Sequence, residues 1–114
     1  MPQEAMSYSF AEGSAPGITV LKLEGPFILN NMFQLQAEIR NVRPPCLIMD
    51  LSAVPFMDSA GLGVIMNTFV SAQSGGRKFF VTGINDRVRA LLEMTKVDAV
   101  LQICNSVSAA EARA

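Results

Sequence analysis

The sequence predicts a single α/β domain built on a mixed β-sheet, with an N-terminal hairpin and parallel inner strands. Three observations lead there. From residue 46 onward, strand-like and helix-like patterns alternate, the order that right-handed crossovers between parallel strands produce. Before them lie two runs of alternating apolar and polar residues, separated by turn residues, which is the pattern of a hairpin. Half of the 114 residues are hydrophobic (50%) and only 17% are charged, enough apolar surface for one core and too much for disorder.

The elements follow in chain order. Met6 to Glu12 alternates apolar and polar residues as a half-exposed strand does. Gly13-Ser14-Ala15-Pro16-Gly17 is turn chemistry, and Ile18, Val20, Leu21 and Leu23, with Lys22 and Glu24 among them, make the returning strand. Gly25-Pro26 breaks it. Asn30 or Asn31 is placed to cap a helix in which Met32, Leu35, Gln36 and Ile39 share a face, with Phe33 beside it. Val42-Arg43-Pro44-Pro45 stops that helix, because Pro lacks an N–H and disfavours helical backbone in the residue before it.

Cys46-Leu47-Ile48-Met49-Asp50-Leu51 is nearly continuous in apolar character, as expected of a strand covered on both faces. Ser52 to Pro55 is a short connection, and Phe56-Met57 re-enters the interior. From Ser59 to Ser74, Leu62, Ile65, Met66, Phe69 and Val70 keep helical spacing, and Gly75-Gly76 ends the helix. Lys78 to Thr82 is a strand closed by Gly83. Asn85 or Asp86 caps a third helix carrying Val88, Leu91, Leu92 and Thr95 on one face. Val97 to Cys104 reads as a last short strand, and Ser108 to Ala114 as a polar, Ala-rich terminal helix or tail. Residues 1–114 thus form one domain, with its core between about 6 and 104 and a terminal helix or tail over 105–114.

Several functions are excluded on composition. A net charge of -1 leaves no clustered basic footprint for nucleic acid. The chain has no His, the commonest general base and metal ligand, and Asp50 and Asp58 are its nearest approach to a carboxylate pair. No catalytic residue, metal site or cofactor is expected, so the chain is not expected to be an enzyme. The apolar stretches are strand-sized against the roughly 20 residues of a membrane span, which excludes direct membrane insertion. Met1 to Glu12 holds Glu4 and Glu12 and lacks the basic-then-apolar order of a signal peptide, so a cytoplasmic protein is expected. Cys46 and Cys104 allow one disulfide, but cytosolic thiols stay reduced, and two buried free thiols are the expectation. Gly75-Gly76-Arg77-Lys78 precedes a strand, where a phosphate loop would precede a helix, and is read as a turn.

Chemistry concentrates in Met57-Asp58-Ser59-Ala60-Gly61-Leu62-Gly63. Ser59 is expected at the helix start, where its hydroxyl can accept from an orphan backbone N–H. The helix N-terminus favours an anion, and a phosphate would bring about -1.5 to -2 of charge. Gly61 and Gly63 each cost up to about 1 kcal/mol against Ala in a helix, which implies that backbone or a partner comes very close. An ordinary cap with packing glycines is the competing reading of the same residues.

The whole segment from Leu47 to Val64 resembles the signature of the STAS family, the anti-sigma factor antagonists: an apolar strand, a "D-L-S-x-V" turn, an aromatic, then "M-D-S-x-G-L-G". Ser74-Gly75-Gly76-Arg77 looks like the family's "Q-G-G" turn, and Val88 to Val97 like its "V-x-x-L-x-x-T-G-L" helix end. The resemblance implies helices packed on one face of the sheet. It also implies partner switching: an anti-sigma factor that is a serine kinase binds the chain and phosphorylates the Ser after Asp, here Ser59, which releases it until a phosphatase resets the cycle. The implied partner surface is Asp58, Ser59, Ala60, Gly61, Leu62 and Gly63, together with Phe27 and Ile28, an apolar rim where the family has "G-E-L-D". An alternative is a non-phosphorylated STAS scaffold, or a subunit of a larger lipid-transport or signalling assembly. Lys96 stands where the family usually has Gly, which removes the residue that most favours a left-handed turn there. The partner's identity and the oligomeric state are not specified by these residues.

Overall fold

Five strands form one sheet in the order β1-β2-β3-β4-β5, and every neighbouring pair is also consecutive in the chain. The structure is a computed structural model, and residues 6–28 and 33–114 are described. The cap expected at Asn30 or Asn31, and the helical position of Met32, lie outside the described residues. β1 (Ser7–Glu12) and β2 (Ile18–Glu24) pair antiparallel, from Ser7 opposite Glu24 to Glu12 opposite Thr19, which is the expected hairpin. β2, β3 (Cys46–Ala53), β4 (Lys78–Thr82) and β5 (Gln102–Cys104) run parallel to one another. The crossovers carry α1 (Phe33–Val42), α2 (Ser59–Ser74) and α3 (Asp86–Met94).

Alternation along the strands assigns side chains to two faces. Leu21, Leu23, Leu47, Met49, Leu51, Phe79 and Val81 face one way and pack with Leu35 of α1, Val64, Ile65 and Ala72 of α2, and Val88 and Leu92 of α3. Ile18, Cys46, Ile48, Phe80 and Cys104 face the other way. The near-continuous apolar run of β3 is explained by this double cover. One expectation changes here. α4 (Val107–Glu111) lies on the second face, with Ala110 buried there, so the helices do not all share one side.

α4 is a helix and not a tail because its ends are tied down. The Ser106 hydroxyl accepts from the Ala109 amide at 3.1 Å, the Glu111 carboxylate accepts from the Ser14 amide at 2.7 Å, and the Arg113 guanidinium lies 5.5 Å from the Phe80 ring centroid. A second expectation is corrected at the last strand. Val97–Ala99 is a 3-10 turn, and only Gln102–Cys104 pairs with β4. Val97 and Leu101, four apart, reach the core while Asp98, Ala99 and Val100 are exposed, which is helical and not strand spacing. Lys96 takes the left-handed turn that introduces this segment, with φ of 63°, despite having a side chain.

α2 ends as expected at Gly75-Gly76. Gly76 is left-handed (φ 70°), its amide donates to the Gln73 carbonyl, and the Arg77 amide donates to the Ala72 carbonyl at 2.8 Å. Both cysteines are free and buried. Cys46 pairs opposite Lys78 and Cys104 opposite Thr82, four residues along β4. That offset alone separates them by about 13 Å along the strands, beyond the ~7 Å reach of a disulfide. Burial pushes the Cys46 thiol up from its ordinary value, with nearby Lys78 opposing the shift and Glu111 adding to it. Among the described residues, no helix is long and apolar enough to cross a membrane.

Candidate phosphorylation and partner-binding site

The parallel strands end together at one edge of the sheet, and the turn after β3 there delivers the chain into α2. β3 runs two residues past the expected end at Leu51, and within its last residues the Asp50 carboxylate accepts from the Ser52 amide at 3.0 Å. The Val54 amide donates to the Leu51 carbonyl at 3.0 Å and opens the turn. Gly83, with φ of 73°, packs against the end of β3 so closely that a Cβ would sit 2.9 Å from the Ser52 Cβ. Asn85 then joins two elements at once. Its Oδ1 accepts from the Val88 amide at 2.8 Å and caps α3, while its Nδ2 donates to the carbonyls of Val54 at 3.2 Å and Pro55 at 3.0 Å. The Arg87 guanidinium stacks 5.0 Å from the Phe56 ring centroid on the same connection.

From below, the segment after β2 holds the entry to α2. Phe27 and Met57 form an isolated parallel bridge: the Phe27 amide donates to the Phe56 carbonyl at 3.0 Å, and the Phe27 carbonyl accepts from the Asp58 amide at 3.2 Å. The sequence places Phe27 on an exposed apolar rim, and the structure corrects this. Phe27 is 0% exposed, so its ring is core and its backbone is the brace. Ile28 is half-buried.

Capping falls on Asp58 and not on Ser59. One carboxylate oxygen of Asp58 accepts from the amides of both Ala60 and Gly61 at 3.0 Å, and the Asp58 backbone is extended. A carboxylate is longer than a hydroxymethyl group by one atom and bears the charge that the helix end favours, so the Asp wins the position. Ser59 becomes the first helical residue. It is exposed, and among the described residues its hydroxyl has no hydrogen-bond partner.

The two glycines prove to be different. A Cβ on Gly61 would meet the Phe27 carbonyl oxygen at 2.4 Å, so Gly61 is required by the chain's own backbone. A Cβ on Gly63 would meet nothing within 4 Å, so the fold makes no such demand there. Ala60 and Leu62 are half-buried and pack on the core. The exposed surface at this end of α2 is therefore Ser59, flanked by Asp58 and by the open side of Gly63. Asp50 and Asp58 each serve a separate local amide set and do not act as a pair. Arg87 and Asn85 were legible in sequence only as a surface cation and a helix cap; their contacts to the Phe56 and Val54-Pro55 segment depend on the β3–β4 register.

Comparison with known proteins agrees with this architecture. A family model described as the STAS domain matches residues 13–110. An anti-sigma-B factor antagonist of Listeria monocytogenes is 36% identical over 59 residues, 52% of this chain and 52% of that one, so the match spans about half of that relative's length. The anti-sigma F factor antagonist of Paenibacillus polymyxa is 29% identical over 91 residues, covering 76% of this chain and 78% of the relative. Among solved structures, an anti-sigma factor antagonist from Mycobacterium paratuberculosis superposes with a TM-score of 0.82 at 22% identity, over 91% of this chain and 89% of that one. The Bacillus cell fate determinant SpoIIAA in its phosphorylated form gives 0.74 at 14% identity, over 95% of this chain and 100% of that one. The structural likenesses bear on fold, and the family match covers β2 to β5 and the helices between them, leaving out β1. The chain belongs to the STAS domain family.

Proposed function

We propose that this chain is an anti-sigma factor antagonist that regulates transcription by partner switching. It docks an anti-sigma factor serine kinase through the Asp58–Gly63 end of α2. The kinase transfers the γ-phosphoryl group of ATP to the Ser59 Oγ; the hydroxyl proton is lost, ADP leaves, and the phosphorylated chain dissociates. A phosphatase then hydrolyses the phosphoserine and restores the binding form. ATP and the transcription machinery place this cycle in the cytoplasm. The chain itself supplies no catalysis.

The observation that carries this reading is the division of labour between Asp58 and Ser59. The cap is held by Asp58, which leaves the Ser59 hydroxyl exposed and unengaged at the helix start. Modification therefore does not remove a structural bond. A phosphate there meets the positive end of the helix dipole, so the fold tolerates it. In a docked interface the same dianion sits beside the Asp58 carboxylate and must lose water, which opposes binding. A penalty of about 3 kcal/mol weakens affinity more than a hundredfold. The open side of Gly63 is consistent with a partner backbone approaching there. The relatives named as anti-sigma factor antagonists, and SpoIIAA, solved in unphosphorylated and phosphorylated forms, support the same assignment.

The test is incubation with candidate switch kinases and ATP, followed by mass spectrometry of the peptides. Phosphate on Ser59 is the expected result; phosphate on another residue contradicts it. A second reading, an unmodified scaffold or subunit of a larger assembly, draws on the burial of Pro26 and Phe27, which fills with core the loop that is acidic elsewhere in the family. Under that reading Ser59→Asp leaves partner binding unchanged.

A further inference from the structure

Three of the chain's nine Lys and Arg residues, all arginines, line one cavity of about 240 Å³ with their side-chain charges on its side of the sheet. It lies between the C-terminal halves of α1 and α2, at the edge of the sheet where β3 and β4 begin. Arg40 and Arg43 reach it from the end of α1 and Arg77 from the turn after α2, whereas Lys78, the first residue of β4, turns its ammonium to the other face of the sheet, where it donates to the Arg113 carbonyl. This is the far end of α2 from Ser59. At about 1.5 Å of rise per residue, Ser71 on the cavity wall stands about 18 Å along the helix from Ser59.

The three guanidinium groups are uncompensated. No Asp or Glu lines the cavity, and among the described residues none of the three pairs with a carboxylate. The Arg43 Nε donates to the neutral Arg40 carbonyl at 3.1 Å, and the Arg77 Nη2 to the Ser71 carbonyl and hydroxyl at 2.9 Å. Each guanidinium has five N–H donors, so most remain available. A helix dipole accounts for a cation near each helix end. It does not account for three converging on one hollow, where they repel one another and raise the local potential.

Arg43 supplies an independent observation. Its φ is 38°, in the left-handed region where glycine is favoured and a side chain carries strain. Pro44 follows, so the turn is constrained from both sides. A strained position that would suit Gly instead carries a guanidinium on the cavity wall. The remaining wall is divided between apolar Ile39, Leu47 and Val64 and the polar groups of Asn67 and Ser71.

We propose that this cavity binds a small organic phosphate, an anion with a compact carbon body. The guanidinium groups take the phosphate oxygens in forked pairs, as their planar geometry allows. The apolar wall takes the carbon part. The volume falls below the ~300 Å³ lower end for drug-sized ligands, which sets a small upper size. The proposal is independent of Ser59 phosphorylation.

The experiment is a titration of the full chain with phenyl phosphate, followed by amide NMR, with inorganic phosphate and phenol as companion probes. Saturable shifts centred on Leu47, Asn67, Ser71 and Arg77 are expected, with phenyl phosphate binding more tightly than inorganic phosphate and phenol not saturating. The double variant Arg40→Ala, Arg43→Gly should lose about tenfold or more in affinity. It keeps the fold, since Ala suits an exposed helix position and Gly the left-handed one. Arg77→Gln is a second route to the same loss, and exposed Lys22→Ala, on β2, should change nothing. Shifts spread evenly over Arg87, Arg89 and Lys96, or an affinity unchanged in both cavity variants, would overturn the proposal. Inorganic phosphate binding as tightly as phenyl phosphate would overturn the organic part of it.

Discussion

Asp58 and Ser59 stand side by side at the start of α2, where Asp58 holds the cap and Ser59 is the first helical residue. Both residue types are good caps, so local propensity does not separate them; the extended backbone at Asp58 and the bridge to Phe27 do. This makes a direct stability prediction. Asp58→Ala should cost about 1 kcal/mol, lowering Tm by about 4–6 °C, whereas Ser59→Ala should stay within about 0.5 kcal/mol of the parent in calorimetry. Equal losses would return the cap to Ser59. The glycines make a second pair. Gly61→Ala drives a Cβ against the Phe27 carbonyl and should cost about 1–3 kcal/mol. Gly63→Ala meets nothing and should gain up to about 1 kcal/mol of helix propensity, while weakening partner binding measured by calorimetric titration. The sequence marked both glycines as costly. It did not say which cost is explained inside the fold, because the contact that decides it comes from a segment more than thirty residues away.

At the scale of elements, periodicity located α2 and β4 to the residue and the hairpin to within one. Those segments have strong apolar patterns with Gly at their ends. Val97, Ala99, Val100 and Leu101 are apolar and read as strand, although only Val97 and Leu101 of that run turn inward and pairing begins at Gln102. Asn85 shows what element-level pattern cannot contain. It was legible as a cap for α3, but its grip on Val54 and Pro55 depends on α3 following β4 beside β3. Asn85→Ala should therefore do more than fray α3. A loss of about 1–2 kcal/mol is expected, with faster amide exchange both at Val88 and through the connection into α2. Exchange confined to α3 would show that the connection stands without Asn85.

For the whole molecule, a half-apolar chain with a net charge of -1 builds one sheet that buries apolar side chains on both faces. One sheet positions two separate features of α2: the exposed Ser59 where the strands end, and the cationic cavity where they begin. The parallel order was readable because helix and strand patterns alternate. That α4 covers the second face was not, because its five residues offer only Val107 and Ala110 to the sheet, and the contacts that tie it down, Glu111 to Ser14 and the following Arg113 to Phe80, reach far along the chain. The low background charge also means that one phosphate changes the net charge by more than its present value. The most direct test of the proposed switch is the affinity of a candidate switch kinase for Ser59→Asp against Ser59→Ala, measured by calorimetric titration on the full chain. Retained binding by Ser59→Ala with at least a hundredfold loss for Ser59→Asp is the expected result; equal affinity for the two would contradict the switch.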